Sequence, residues 1–313
     1  MTKKLSNPQK KHGTEILLEH RAINITQNKI ILENKKNKEK KALSYKLLIG
    51  ADGANSRIRK LCKLSDPTEI LVGIGAEVSS VNLNPHFVEI FIGNHVAPGF
   101  FAWVIPIDYG GERARVGLCV SRQNSPQVRQ YFEKFLGKLE SLKIIKKEKK
   151  HIIMGGLIPL GLMQKTYASH TMLVGDAAAQ VKPTSGGGIY TGLKCSEHCA
   201  VTALNALTNN AFSEKSLSSY QSSWMKDIGK ELKKGMEIRN LLVKFSDKDM
   251  DKILMAVNKP PILKLISKYG DIDYPSRLLS HLIAKPRLLA ELSPLLIKKI
   301  FQSSFSPPGA GGM

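Results

Sequence analysis

Acidic residues, cysteines, aromatics and long apolar runs are all scarce in this chain. Its 313 residues include 26 Asp and Glu against 47 Lys and Arg, a formal charge of +21, with 6% aromatics and four cysteines. Cys62, Cys119, Cys195 and Cys199 are too few and too scattered for a disulfide scaffold, so a reducing, intracellular compartment is expected. No stretch reaches the roughly 18 uninterrupted apolar residues of a membrane span, and the opening MTKKLSNPQKKHGTE has no apolar core to serve as a signal peptide. A protein that is neither secreted nor membrane-spanning is therefore expected. Its length allows a full core and two domains, or one large domain with an appendage.

The positive charge is uneven. It gathers in KKNKEKK at 35–41, in KIIKKEKK at 143–150 and in the lysines between 226 and 234. Solvated turns and helix faces are the ordinary meaning of such runs. Two sharper readings are an anionic membrane surface and nucleic acid, because clustered Lys gains from surface potential and from counterion release. The membrane is favoured, since nucleic-acid modules interleave aromatics with their basic residues and neither Lys run carries one.

Along the chain, EILLE at 15–19, AINI at 22–25 and KIILE at 29–33 alternate like strands, followed by a Lys-rich turn and YKLLIG at 45–50. This pattern predicts a small antiparallel meander feeding one buried strand. ANSRIRK at 54–60 then starts like a helix behind a polar cap. From 71 to 121 the segments LVGIGAEV, FVEIFI, FAWVIP and ARVGLCV read as a second, antiparallel sheet, completed by a helix near 126–141 and a strand near 151–159.

The segment LVGDAAAQVKPTSGGGIYTGLKCSEHCA at 173–200 is the richest in chemistry. An apolar strand stops at Gly175 and Asp176, placing a carboxylate where open α/β sheets bind their ligands. Pro183, Ser185, Gly186, Gly187 and Gly188 lead into a helix, whose unpaired N–H groups point back at whatever Asp176 holds; a flexible turn is the plain alternative. Cys195 and Cys199, at i and i+4 on that helix, read as small packing residues rather than metal ligands, so no metal is expected. Residues 213–302 read as helical. Ser293 and Pro294 start a final helix with Leu296 and Ile300 on its apolar stripe, and a disordered tail follows.

GADGANS at 50–56 resembles the DG motif, and GDAA at 175–178 the GD motif, of flavoproteins built like p-hydroxybenzoate hydroxylase. They stand in the family's order, with a sheet between them and a Pro-x-x-Gly-Gly-Gly-Ile helix start after the second. Within that superfamily, Gly175 to Ala200 looks most like the geranylgeranyl reductase family, flavoenzymes that saturate the double bonds of isoprenoid chains, including those of archaeal ether lipids. FAWVIP at 101–106 resembles its substrate-pocket motif Tyr-x-Trp-x-Phe-Pro, with Phe101 for the Tyr and Ile105 for the Phe. The aromatic wall is kept and the Tyr hydroxyl is lost.

The resemblance implies a mixed α/β fold. Its FAD/NAD(P)-binding Rossmann-like domain, incomplete at the amino terminus, comprises 1–66 and 161–210. An antiparallel sheet substrate domain is inserted at 67–160, a helical region runs over 211–302 and a tail over 303–313. Asp176 is expected to accept a hydrogen bond from a ribityl hydroxyl of FAD. The N–H groups of Gly187, Gly188 and Ile189 would face the flavin pyrimidine edge, stabilising the reduced flavin by about 1 kcal/mol. Gly175 and Pro183 shape that turn. Asp52 and Gly53 would lie near the pyrophosphate, and the backbone at Ala22 near the adenine, although Asp is also a favoured helix cap.

Phe101, Trp103 and Pro106 would border the substrate, or Phe101 and Trp103 serve as core aromatics. No side chain is expected to be catalytic, because the hydride leaves the flavin and the protein orients it and excludes water. The partners implied are a prenyl lipid, the anionic inner face of the cell membrane, to which a cytoplasmic protein would dock peripherally, and an electron donor, NAD(P)H or ferredoxin. The family's chains open with a strand, a Gly-x-Gly-x-x-Gly turn and a helix, with an acidic residue roughly 20 positions on. This sequence contains no such turn, and the segment is expected from an upstream reading frame or a separate polypeptide. Two further readings stand: an aromatic monooxygenase of the same fold, and an inactive chain retained as a binding protein.

Overall fold

The computed structural model describes residues 13–26, 28–146 and 152–285. β1 (His20–Thr26), β2 (Lys29–Asn34) and β3 (Lys40–Ser44) form the antiparallel meander. EILLE at 15–19 is not its first strand. Glu19 takes a left-handed φ of 61° and Leu18 stands exposed, so the chain turns there and enters the ladder at His20. The Lys-rich turn is also shorter than its composition predicts, because Lys40 and Lys41 pair with Glu33 and Leu32 as the start of β3.

β4 (Leu48–Gly50) and β11 (Thr171–Leu173) are the strands that end in the two motifs. They pair directly and in parallel, Leu48 with Thr171 and Gly50 with Leu173, and the short β10 (Tyr167–Ala168) flanks β11 antiparallel. The two motif strands are thus direct neighbours. Their closeness explains Gly50: a Cβ there would stand 2.6 Å from Leu173 Cδ2 and 3.0 Å from Ile58 Cβ. Among the described residues β4 forms the edge of this sheet.

β5 (Glu69–Ser79), β6 (Glu89–Ile92), β7 (Phe101–Pro106), β8 (Arg113–Ser121) and β9 (Ile152–Leu160) make an antiparallel sheet in the order β6-β7-β8-β5-β9. Alternation along these strands sorts the side chains onto two faces. Ile74, Ala76, Val104, Val116 and Leu118 pack under α2 (Val128–Ser141), through Phe132, Phe135 and Leu139. The other face carries Phe101, Trp103, Cys119 and several glycines. The remaining helices are α3 (Ile189–Thr208), α4 (Glu214–Trp224), α5 (Lys230–Leu242), α6 (Asp247–Val257), α7 (Pro260–Tyr269) and α8 (Pro275–Ile283), with a π-helical turn, Met225–Gly229, joining α4 to α5. Cys195 and Cys199 are buried against Tyr220 and Trp224 as packing groups. No helix among the described residues is long and apolar enough to cross a membrane. The expected helix from Ser293, the tail after it and 147–150 of the second Lys run lie outside the described residues.

One buried cation joins the two motifs. α1 (Arg57–Leu61) follows β4 and is capped by the Ser56 hydroxyl, which accepts from Arg59 N. From this helix the Arg59 guanidinium donates to Ala54 O in the first motif, to Ala177 O in the second and to Asp66, each at 3.1 Å. Replacing it leaves the buried Ala177 carbonyl without that partner. Arg59→Met is expected to lower the unfolding free energy by about 3 kcal/mol, read from urea denaturation. Arg59→Lys should not restore it, since a single ammonium lacks the fork that reaches three acceptors.

Candidate functional site

Beyond β11 the chain makes a 3-10 turn over Gly175–Ala178, bolted down from behind. Gln180 accepts from Gly175 N at 2.8 Å and donates to the Tyr220 hydroxyl at 2.9 Å, which donates to Leu173 O at 2.7 Å. Thr191 Oγ1, from the first turn of α3, donates to the Gln180 carbonyl at 2.5 Å. Gln180, Tyr220 and Thr191 are buried, so the turn has little freedom.

Asp176 faces the other way. It is partly buried, no hydrogen bond or ion pair engages its carboxylate among the described residues, and burial raises its carboxyl pKa. A Cβ on Gly188 would stand 2.8 Å from Asp176 Oδ1, so glycine keeps the space before the carboxylate open. Gly188 is also the N-cap of α3 and supplies no side-chain cap, which leaves the first-turn N–H groups of a 20-residue helix aimed outward. The preceding loop is closed by Lys182 N donating to Gly187 O (3.1 Å) and Gly186 N to Lys182 O (2.8 Å). Asp176, Gly188 and Ile189 thus come together as one acceptor beside helix-start donors, while the N–H of Gly187, next to them, donates to Ser185 Oγ at 3.4 Å. Those groups fit the ribityl hydroxyls and the pyrimidine edge of FAD, the end of the cofactor that gains negative charge on reduction.

Asp52, Gly53 and Ala22 gather at the first motif. Both Asp52 oxygens are used within the chain, accepting from Ser56 Oγ (2.6 Å), Arg57 N (2.6 Å) and Ile58 N (3.2 Å), the capping role open to an Asp at this position. Ala22 O accepts from Arg57 Nη1 at 3.1 Å. Gly53 adopts φ 80° in the loop between them.

Two hollows lie near the second motif, the first of mixed lining and the second largely apolar. The first lies among Phe100, Phe101, Pro183, Leu242, Arg239 and Asp247. Phe100 stacks on Phe101 at 4.3 Å and sits under the Arg239 guanidinium, which Glu69 holds with two hydrogen bonds. The second is a trough on the open face of the large sheet, floored by Gly73, Gly75 and Gly156 beside Trp103 and lined by apolar groups apart from Arg115. Ile158 lines this trough and also meets the motif loop, its Cδ1 3.2 Å from where a Cβ on Gly186 would stand. Burial raises the Cys119 thiol in its floor to about 12, keeping it protonated. Pro106, at the far end of β7 opposite Ala114, borders neither hollow.

Arg59, Gln180, Tyr220 and the glycine floor were not singled out from the sequence. The glycines carried a signal, because a glycine inside a strand pattern marks close approach of another group.

An acceptor carboxylate at a strand end, a glycine loop and an uncapped helix start define a flavin-binding protein of mixed α/β, Rossmann-like fold. The chain belongs to the FAD binding domain family, whose profile matches residues 1–228, and its cofactor is FAD. It is 30% identical over 263 residues to a digeranylgeranylglycerophospholipid reductase of Methanocaldococcus jannaschii, covering 82% of this chain and 64% of that protein. The chain spans about three fifths of the length of the curated relatives it matches. In fold it is similar to a geranylgeranyl bacteriochlorophyll reductase-like protein from Thermoplasma acidophilum, with TM-score 0.73 and 21% identity over 90% of this chain and 73% of that one. It is also similar to a probable FAD-dependent monooxygenase from Pseudomonas aeruginosa, with TM-score 0.53 and 19% identity over 77% and 68% of the two chains.

Because burial favours the neutral acid, charged Asp176 costs the folded chain stability at neutral pH, and the cost is relieved as pH falls through its raised folded pKa. Asp176→Asn should therefore raise the melting temperature of the flavin-free protein at neutral pH, with the gain disappearing on acidification. The same change should weaken FAD binding about tenfold, measured by flavin fluorescence titration.

Proposed function

We propose that this chain is the flavin-holding and substrate-facing part of an FAD-dependent reductase that saturates double bonds of isoprenoid chains, those of membrane ether lipids or their precursors. The observation that carries this reading is the apolar trough, whose Ile158 also packs against the motif loop and which offers a long chain shallow contact. The reductase names of its relatives support it. When bound, FAD supplies the hydride. Asp176 holds the ribityl chain, the start of α3 meets the pyrimidine edge, and Trp103 and Phe101 orient the prenyl chain and exclude water. Electrons would come from NAD(P)H or ferredoxin. The fold is similar to that of a monooxygenase, but Arg115, the charged residue that lines the trough, is held by Glu77, and the rest of the lining is apolar.

Two partners complete the reading. Parallel strands are normally covered on both faces. Yet Ile49, which shares a face with Met172, is 43% exposed on edge strand β4, and Ile189, Leu193, Val201, Leu204 and Leu207 are exposed along α3. A strand–glycine turn–helix segment, on the same polypeptide or another, would cover both and grip the FAD diphosphate. An anionic membrane surface would be met by the excess of Lys and Arg, together with exposed Leu254 and Met255 on α6, Leu263 on α7 and Ile272 in the turn after it.

The test is direct. Loaded with FAD and reduced by dithionite without oxygen, the protein should add two hydrogens to each double bond it saturates in digeranylgeranylglycerol phospholipid, read by mass spectrometry. Unchanged lipid, with oxygen consumed on a phenolic substrate instead, would establish the monooxygenase. A Cβ on Gly156 meets nothing within 4 Å. Gly156→Val should accordingly fill the trough and cut turnover of the geranylgeranyl chain by about tenfold or more, leaving melting temperature and FAD affinity near wild type.

A further inference from the structure

The start of α3 is held from both flanks by one turn of the carboxyl-terminal helices. On one side is Lys182, in the loop that precedes Gly186. Its side chain is 12% exposed and its ammonium is paired with Asp273. On the other side is Tyr190, in the first turn of α3, whose hydroxyl shares a 2.8 Å hydrogen bond with Tyr274; the two rings meet edge to face. Asp273 and Tyr274 are consecutive residues of the turn between α7 and α8. That turn is itself rigid, because Asp271 accepts from Asp273 N (2.8 Å) and Tyr274 N (3.1 Å) and pairs with Arg277, whose guanidinium lies 4.7 Å over the Tyr274 ring. α8 is moored in turn to α5, with Ser276 donating to Glu231 from both its N–H and its hydroxyl. The hydrogen bond to Tyr190 also raises the Tyr274 phenol to about 12, so it stays protonated and the contact persists across physiological pH.

Lys182 lies directly beneath the glycine loop, its Cε 3.0 Å from where a Cβ on Gly187 would stand. The geometry points to the turn Asp271–Tyr274 as a strap that fixes the segment from Lys182 to Tyr190, and to Lys182 as a positioning residue whose tethered ammonium adds a fixed positive charge beside the α3 N-terminus. The strap explains why helices so late in the chain belong to a site whose motif ends at Gly188. It also gives Lys182 a task distinct from that of the exposed lysines: without Asp273 a nearly buried ammonium would lack its carboxylate and swing out to water. The mechanical part of this inference stands on the chain's own contacts, and the consequence for the cofactor rests on the FAD site.

Amide hydrogen exchange of the full chain tests the strap without any cofactor. In Asp273→Asn/Tyr274→Phe, exchange over 184–190 should speed up about tenfold while the β5–β8 ladder keeps its protection. Titration with FAD is the second readout. Dissociation constants should rise about tenfold for Asp273→Asn and Lys182→Met, and Lys182→Arg should retain wild-type affinity. Unchanged exchange over 184–190 in the double variant, or a uniform increase across the whole chain, would overturn the strap. Equal FAD affinity for wild type and Lys182→Met would overturn the positioning role. If the wild-type chain takes up no FAD, the FAD site fails as described, and the exchange result still decides the strap.

Discussion

The site depends on Arg59. Two loops separated by more than a third of the chain, one after β4 and one after β11, present their motifs on the same side of a small parallel ladder, and a single guanidinium ties their carbonyls together. Without it the loops would be joined by a ladder of strands only three residues long. Arginine suits the task because its charge is permanent and its donors are fixed in one plane, so Ala54, Ala177 and Asp66 are reached at once. The desolvation of the cation is offset only while all three acceptors stay in place, which makes the arrangement of the two motifs cooperative.

Behind Asp176 the polar groups are matched, and in front of it they are not. Gln180, Tyr220 and Thr191 form a closed set with backbone groups of Gly175 and Leu173. The carboxylate itself is left partly desolvated, and the α3 N-terminus lacks a side-chain cap. Such asymmetry lowers stability locally and prepares the site for a ligand with hydroxyls at one place and developing negative charge at another. A ligand of that kind thus meets groups already in position rather than groups it must reorganise.

The strands of the large sheet, the meander and the turn–Asp–glycine–helix order were legible in the sequence because each rests on local chemistry: alternation, turn residues and glycine at a helix start. EILLE at 15–19 misled for the same reason. Its apolar pattern is strand-like, but the left-handed Glu19 sets where pairing begins. The direct pairing of β4 with β11 could not be read locally, since it joins segments far apart in the chain. Arg59 and Gln180 look like ordinary polar residues until their distant partners are known, and the Asp271–Tyr274 turn carries no motif at all. Asp52 could be read as cap or cofactor ligand from its sequence position, and the three bonds it accepts show that it binds the first two N–H groups of α1 and the hydroxyl of the N-cap Ser56.

The glycine floor raises a question of stability, because glycine weakens a strand and leaves nothing to pack. Its placement supplies the answer. Gly73 and Gly75 lie in β5, which is laddered along its length to β8 on one side and β9 on the other, so backbone pairing holds them where side chains do not. Ile74 and Ala76, the residues that alternate with them, carry the apolar contacts of the opposite face under α2. The same glycines on edge strand β6 would open that strand to solvent and to slippage. A smooth apolar trough therefore requires a central strand secured on both edges and packed on its reverse face, and β5 meets those conditions. The shape of the trough is a consequence of where the glycines fall in the sheet, and Trp103 can sit close against β8 because Gly117 carries no Cβ to run into its ring.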